Sequence, residues 1–280
     1  MNLRAKKLFG GLLIFVIIAA CHIEYAAGRA RGEGKTKSSP VLYWEDAAAP
    51  KIHVSDDLLA RGDQLYHMQC ALCHGASGEG NGSASLFLGV KPRDFTSEGF
   101  KFRTTSSGAL PTDEDLFRTV TVGFPAYGMP GFHYLSEEDR WAIVHYIKTF
   151  KKDFKDAGSP EVVDLGKEPK VTKELITEGR EIFKQAGCHA CHGVTGRGDG
   201  PSSATLKDSQ GQPVLALDLT WGGIYFKGGD RPRDMMRSFS TGLTGTPMPS
   251  YLDSGFTKEQ LWALAYFLKS LSSDIHKELE

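Results

Sequence analysis

Cys70-Ala71-Leu72-Cys73-His74 returns 118 residues later as Cys188-His189-Ala190-Cys191-His192, and the match spreads outward from both pentapeptides. Upstream, Arg61-Gly62 to Tyr66 pairs with Glu178-Gly179 to Phe183, in stretches that read as helices. Downstream come glycine-rich loops of one spacing, Gly75, Gly78, Gly80 and Gly82 against Gly193, Gly196, Gly198 and Gly200. Asp115-Leu116-Phe117-Arg118 then pairs with Asp234-Met235-Met236-Arg237, Gly123 with Gly242, and Met129-Pro130 with Met248-Pro249, all offset by 119. Residues 135–150 and 256–271 close the repeat at an offset of 121. The slow drift, with a larger temporary insertion near 207–213, is that of a duplicated unit with altered loops.

The closing segment of each unit predicts an amphipathic helix. Trp141, Val144, Ile147 and Phe150 fall at helical spacing, as do Trp262, Ala265, Leu268 and Leu271. Ser136 with Asp139, and Thr257 with Gln260, are the expected N-terminal caps. No strand-like alternation persists between the glycine-rich loops. The expectation is an all-α chain with units at 53–150 and 173–280, joined by a charged, Pro- and Gly-broken linker at 151–172. A unit of about 100 residues has few apolar side chains to spare, which invites a large buried cofactor. At 280 residues, with 40% hydrophobic and 24% charged, the chain is neither disordered nor too short for two cores. A net charge of −1 excludes a nucleic-acid binder driven by bulk positive charge. Five cysteines exclude a disulfide-dense scaffold.

Cys-x-x-Cys-His is the signature of covalent haem c attachment. Two thiols, here Cys70 with Cys73 and Cys188 with Cys191, add across the porphyrin vinyl groups, and the adjacent His74 or His192 supplies an imidazole nitrogen to the iron. A zinc site would bring two such pairs within about 15–20 residues, whereas 114 residues separate these. A thioredoxin-like pair explains neither the histidines nor the missing βαβ pattern. A simple disulfide in each pair leaves the wider repeat unexplained. For the sixth iron ligand, Met129 lies 55 residues after His74 and Met248 lies 56 after His192. Each precedes a proline, which holds it extended on a loop. A lone methionine is ordinarily a gap-filler of the core; a Met-Pro duplicated at matched distance points to a ligand. Met235 and Met236 are rivals, but their counterparts Leu116 and Phe117 mark them as packing residues. His67, His133, His145 and His189 have no histidine counterpart in the other unit and are read as core or surface.

Each unit resembles a class I cytochrome c domain, and residues 53–273 resemble a tandem dihaem cytochrome c. The resemblance rests on CALCH with GMP, CHACH with PMP, and the helices carrying Gly62, Tyr66 and Trp141 or Gly179, Phe183 and Trp262. It implies two covalent haem c groups and a close crossing of first and last helices where those small and aromatic residues meet. It also implies that a backbone carbonyl near Pro92 holds the second nitrogen of His74, with Ala216 at the corresponding place. Arg93, Arg103 and Lys227 are either partners of the haem propionates or solvated surface. The function so implied is single-electron relay between respiratory redox proteins, a donor and an acceptor, after haem insertion by the cytochrome c maturation machinery. A dihaem peroxidase is the enzymatic alternative; it needs one iron with an open site, against which the matched methionines argue. A third reading, a cytochrome subunit of a larger oxidoreductase, differs in partner and not in chemistry.

At the N-terminus, Arg4, Lys6 and Lys7 precede an apolar run from Leu8 to Ala20. Thirteen residues cannot span a ~30 Å hydrocarbon core, so 1–20 reads as an export signal. Ile18-Ala19-Ala20-Cys21 resembles a bacterial lipoprotein cleavage box, in which the cysteine becomes the acylated first residue. A multiply acylated Cys21 would hold the exported protein at the periplasmic membrane surface. Residues 21–52 read as a flexible linker beyond that anchor.

Overall fold

The computed structural model of the protein describes residues 52–97 and 99–272. The expected export signal, Cys21 and the spacer lie outside them. Unit one is built from α1 (Asp56–Gln69), the single turn α2 (Ala71–His74), α3 (Asp113–Val122) and α4 (Glu137–Thr149). After the short turn α5 (Asp153–Asp156), unit two repeats the order as α6 (Lys173–Gln185), α7 (His189–His192), α8 (Pro232–Thr241) and α9 (Lys258–Leu271). Among the described residues, extended pairing is limited to isolated bridges such as Phe124 with Met129. The fold is all-α, as the sequence predicts.

The helices start where their caps dictate. Ser136 accepts from the Asp139 backbone N–H at 3.0 Å. Thr257 accepts from Gln260 N–H at 3.2 Å while the Gln260 side chain accepts from Thr257 N–H at 3.0 Å, a reciprocal box. In both units the first helix crosses the last at a glycine. A Cβ on Gly62 would collide with the Ala142 carbonyl, and one on Gly179 with the Ala263 carbonyl, so backbone meets backbone at each crossing. The adjacent rings fill the flanks. Tyr66 packs on Tyr146 and Phe150 with centroids 5.4 and 5.0 Å away, and Phe183 on Phe267 at 5.4 Å. The tryptophans depart from the expected meeting at the crossing. Trp141 stacks on Phe117 at 4.1 Å, and Trp262 donates its indole N–H to the Leu165 carbonyl at 3.0 Å. Each stands one residue before the alanine that meets the glycine, and 100° of helical turn aims it at another neighbour.

Two separate cores result, one around Trp141 and Val144, the other around Trp262 and Leu264. Residues 151–172, expected as a linker, are packed against both units. Val163 N–H donates to Thr104 O at 2.8 Å in unit one, while Leu165 is buried in the core of unit two. Arg103 of unit one donates from Nη2 to the Thr241 carbonyl of unit two at 2.8 Å. Tyr127 O–H reaches Tyr225 O at 3.0 Å. Asp115 and Arg118 of one unit and Asp234 and Arg237 of the other are all buried. Asp234 is satisfied by Arg231 and Arg237, each at 3.0 Å. The insertion near 207–213 folds as a turn on Asp208, whose carboxylate accepts from the backbones of Gln210 and Gln212 at 2.9 Å. No helix among the described residues is long and apolar enough to cross a membrane.

Candidate functional site

Both Cys-x-x-Cys-His stretches form one helical turn, closed by His74 N–H to Cys70 O and His192 N–H to Cys188 O, each at 2.9 Å. That turn brings the first cysteine, the second and the histidine onto one side. The imidazoles are then fixed from behind. Nδ1 of His74 lies 3.0 Å from Arg93 O, and Nδ1 of His192 lies 2.9 Å from Leu217 O. A carbonyl only accepts, so Nδ1 carries the proton and the Nε2 lone pair faces away, available to a metal. Burial lowers the pKa of both histidines, which keeps them neutral and ligand-ready.

As expected, a carbonyl near Pro92 does this in unit one, that of the next residue, Arg93; in unit two it is that of Leu217 and not of Ala216. The reason lies in the glycine-rich loop. Gly80 and Gly198, with φ of +70° and +75°, donate to the carbonyls of His74 and His192 at 2.8 Å. A Cβ there would stand 2.6 Å from Pro92 O and 2.5 Å from Ala216 O. Pro92 and Ala216 therefore press on a glycine, and the following carbonyl turns to the imidazole. Alanine fills the proline's place without loss of the contact.

In unit one, Cys70, Cys73, His74 and Met129 line a single cleft of about 1240 Å³ counting its open mouth, with Leu116 and Val120 among its apolar walls. Met129 is held on a loop by reciprocal backbone bonds with Phe124, 2.8 and 3.3 Å long. In unit two, Cys188 and Met248 pack against the same core, and the Met248 N–H donates to Thr246 Oγ1 at 3.2 Å. Met235 and Met236 are buried among core residues, as packing side chains are. Two thiols, an imidazole nitrogen and a thioether around an apolar cleft fit a covalently bound porphyrin iron.

The alternatives do not fit. Burial pushes the Cys70 thiol up to about 12 and the Cys188 thiol up to about 11, opposite to the activated thiolate of a redox pair. The two cysteine pairs belong to separate cores, and no group of three metal-ligating His, Cys, Asp or Glu is found among the described residues. Of the three propionate candidates, Arg93 and Lys227 line the cleft of unit one. Arg103 is buried instead, its guanidinium held by the carbonyls of Phe100, Ser106 and Thr241. Sequence reasoning passed over Tyr127, which lines the cleft, and Tyr251, whose hydroxyl donates to Ala186 O at 3.0 Å beside Cys188. The only signal was proximity, two residues before and three after the duplicated methionines.

Comparison with known proteins gives each unit its own match. Residues 176–272 match the family Cytochrome c, and residues 57–147 match Cytochrome C oxidase, cbb3-type, subunit III. A chain of the Kuenenia stuttgartiensis reducing HAO-like protein complex Kustc0457/Kustc0458 is 40% identical, with a TM-score of 0.74, over 81% of this chain and 100% of that one. This chain belongs to the tandem dihaem c-type cytochromes. The cytochrome carries two covalently bound haem c groups. It is also 29% identical over 217 residues to the cbb3-type cytochrome c oxidase subunit CcoP of Helicobacter pylori (strain 52), across 77% of its own length. The corresponding subunit of Azospirillum brasilense is 26% identical over 205 residues. The cytochrome spans 59% of the length of these curated relatives.

Proposed function

We propose that the protein relays single electrons as a cytochrome subunit of a larger, membrane-associated respiratory complex. The supporting observation is that one cleft gathers Cys70, Cys73, His74 and Met129, and that unit two repeats the frame around His192. In this reading, Cys70 with Cys73 and Cys188 with Cys191 form the thioether links. His74 and Met129 ligate the first iron, and His192 and Met248 the second. The haem c groups supply one-electron chemistry; histidine–methionine ligation raises their potential relative to other ligand sets. The chain's own part is to hold each imidazole in one tautomer through Arg93 O or Leu217 O, to seat a methionine on a fixed loop, and to exclude water with apolar walls. With two protein ligands per iron, neither site has a vacancy for substrate, which is why a carrier is favoured over a peroxidase. The similar proteins are named as oxidase subunits and as part of a HAO-like complex, which supports a place beside redox partners. Export behind residues 1–20 and a lipid anchor on Cys21 complete the proposal: a periplasm-facing protein tethered to the membrane, with units at 53–150 and 173–280.

A spectroscopically monitored redox titration of wild type, Met129→His and Met248→His tests the ligand set. Each substitution is expected to lower one midpoint and leave the other. If neither midpoint moves, the methionines are not ligands. Rapid carbon monoxide binding at one reduced haem, with efficient peroxide turnover, would replace the carrier by the enzyme.

A further inference from the structure

The cleft of unit one is not closed by unit one alone. Lys227, from unit two, lines it together with Lys91, Arg93 and Lys101. Among the described residues lining that cleft there is no aspartate or glutamate, so four cations face a mostly apolar space with no carboxylate. The Lys227 ammonium sits 3.7 Å over the ring of Tyr127, whose hydroxyl is bonded to Tyr225 O, two residues before Lys227. Burial first, then the charges of Lys101 and Arg93, lower the Lys227 pKa to about 8. A desolvated cation pressed against two others is a site built for an anion.

The repeat explains how the residue came to be there. Gly99-Phe100-Lys101-Phe102-Arg103 aligns with Gly223-Ile224-Tyr225-Phe226-Lys227 at an offset of 124, the same offset that relates Arg93 to Leu217. Arg103 and Lys227 are thus equivalent positions, and each crosses to the other unit. Arg103 ends on the Thr241 carbonyl, whereas Lys227 ends in the cleft.

We propose that Lys227 of unit two binds a carboxylate of the porphyrin held in unit one, so that the second unit sets the potential of the first haem. The inference rests on the haem reading above. A positive charge beside the haem favours its reduced form, because reduction removes a unit of positive charge. Lys227→Gln is therefore expected to lower the midpoint of the first haem, identified as the one that Met129→His moves. The expected size is about tenfold in the one-electron equilibrium, or about 59 mV. The midpoint of the second haem should stay in place. Lys227→Arg should keep the wild-type value, and Lys227→Met, close in shape, should repeat the glutamine result if that variant does not fold. The denatured mass of each variant separates the two layers. A mass lacking two haems overturns the haem reading; two haems with both midpoints unmoved, or with both shifted equally, overturn the role of Lys227 alone.

Discussion

Superimposed by sequence, the two units agree around the imidazole and diverge away from it. The bonds from Gly80 and Gly198, the carbonyls behind His74 and His192, and the glycine crossings at Gly62 and Gly179 recur within 0.1 Å or with the same partner atoms. The surroundings do not recur. Tyr66 donates to Gly75 O at 2.7 Å, and its counterpart Phe183 has no hydroxyl to do so. Helix α3 starts with a Thr112–Asp115 capping box, whereas α8 starts with Arg231 and Pro232 and spends its aspartate on two arginines. Backbone geometry near a metal ligand tolerates little change, because it aims a lone pair. Peripheral packing has many equivalent solutions.

The largest test of that equivalence is chemical. Cys70→Ser with Cys73→Ser, and separately Cys188→Ser with Cys191→Ser, should each remove one haem from the denatured mass and leave the other. Loss of both from either double variant would show that the units do not mature independently. Next in size, Gly62→Val and Gly179→Val should each cost about 3 kcal/mol or more in denaturant unfolding, since a Cβ meets a carbonyl that cannot retreat. A stable variant in one unit only would break the symmetry of the crossings. Tyr66→Phe removes a buried hydrogen bond to Gly75 O, which keeps the Gly78 N–H at 3.2 Å, and should cost about 1 kcal/mol, a loss with no counterpart in unit two. Thr112→Ala should cost about 1 kcal/mol. Smallest of all, Ala216→Pro should leave the second midpoint unmoved, because the carbonyl behind His192 belongs to Leu217; a shift would mean that Pro92 does more than press on Gly80.

The pentapeptides, the Met-Pro pairs and the caps were legible in the sequence because each is a side-chain pattern tied to one local geometry. The carbonyl near Pro92 was legible, but in unit two the carbonyl behind the imidazole lies one residue past Ala216, since a backbone oxygen leaves no mark on residue type. The direction of Arg103 was equally hidden. Its composition and spacing suit a surface cation, and only the meeting of two units gives it Thr241 O as a partner. Residues 151–172 read as a linker because charge, Pro and Gly dominate them. Yet apolar residues scattered through that run dock, Phe154 on the first core and Val163, Leu165 and Val171 on the second.

Those few docked positions change what a break in the chain would do. With Val163 tied by its backbone to Thr104 and Leu165 receiving the Trp262 indole, the stretch acts as a staple whose far leg already grips the opposite half. A protease cutting between Gly158 and Pro160 would therefore yield two fragments on a denaturing gel that still elute together from a sizing column.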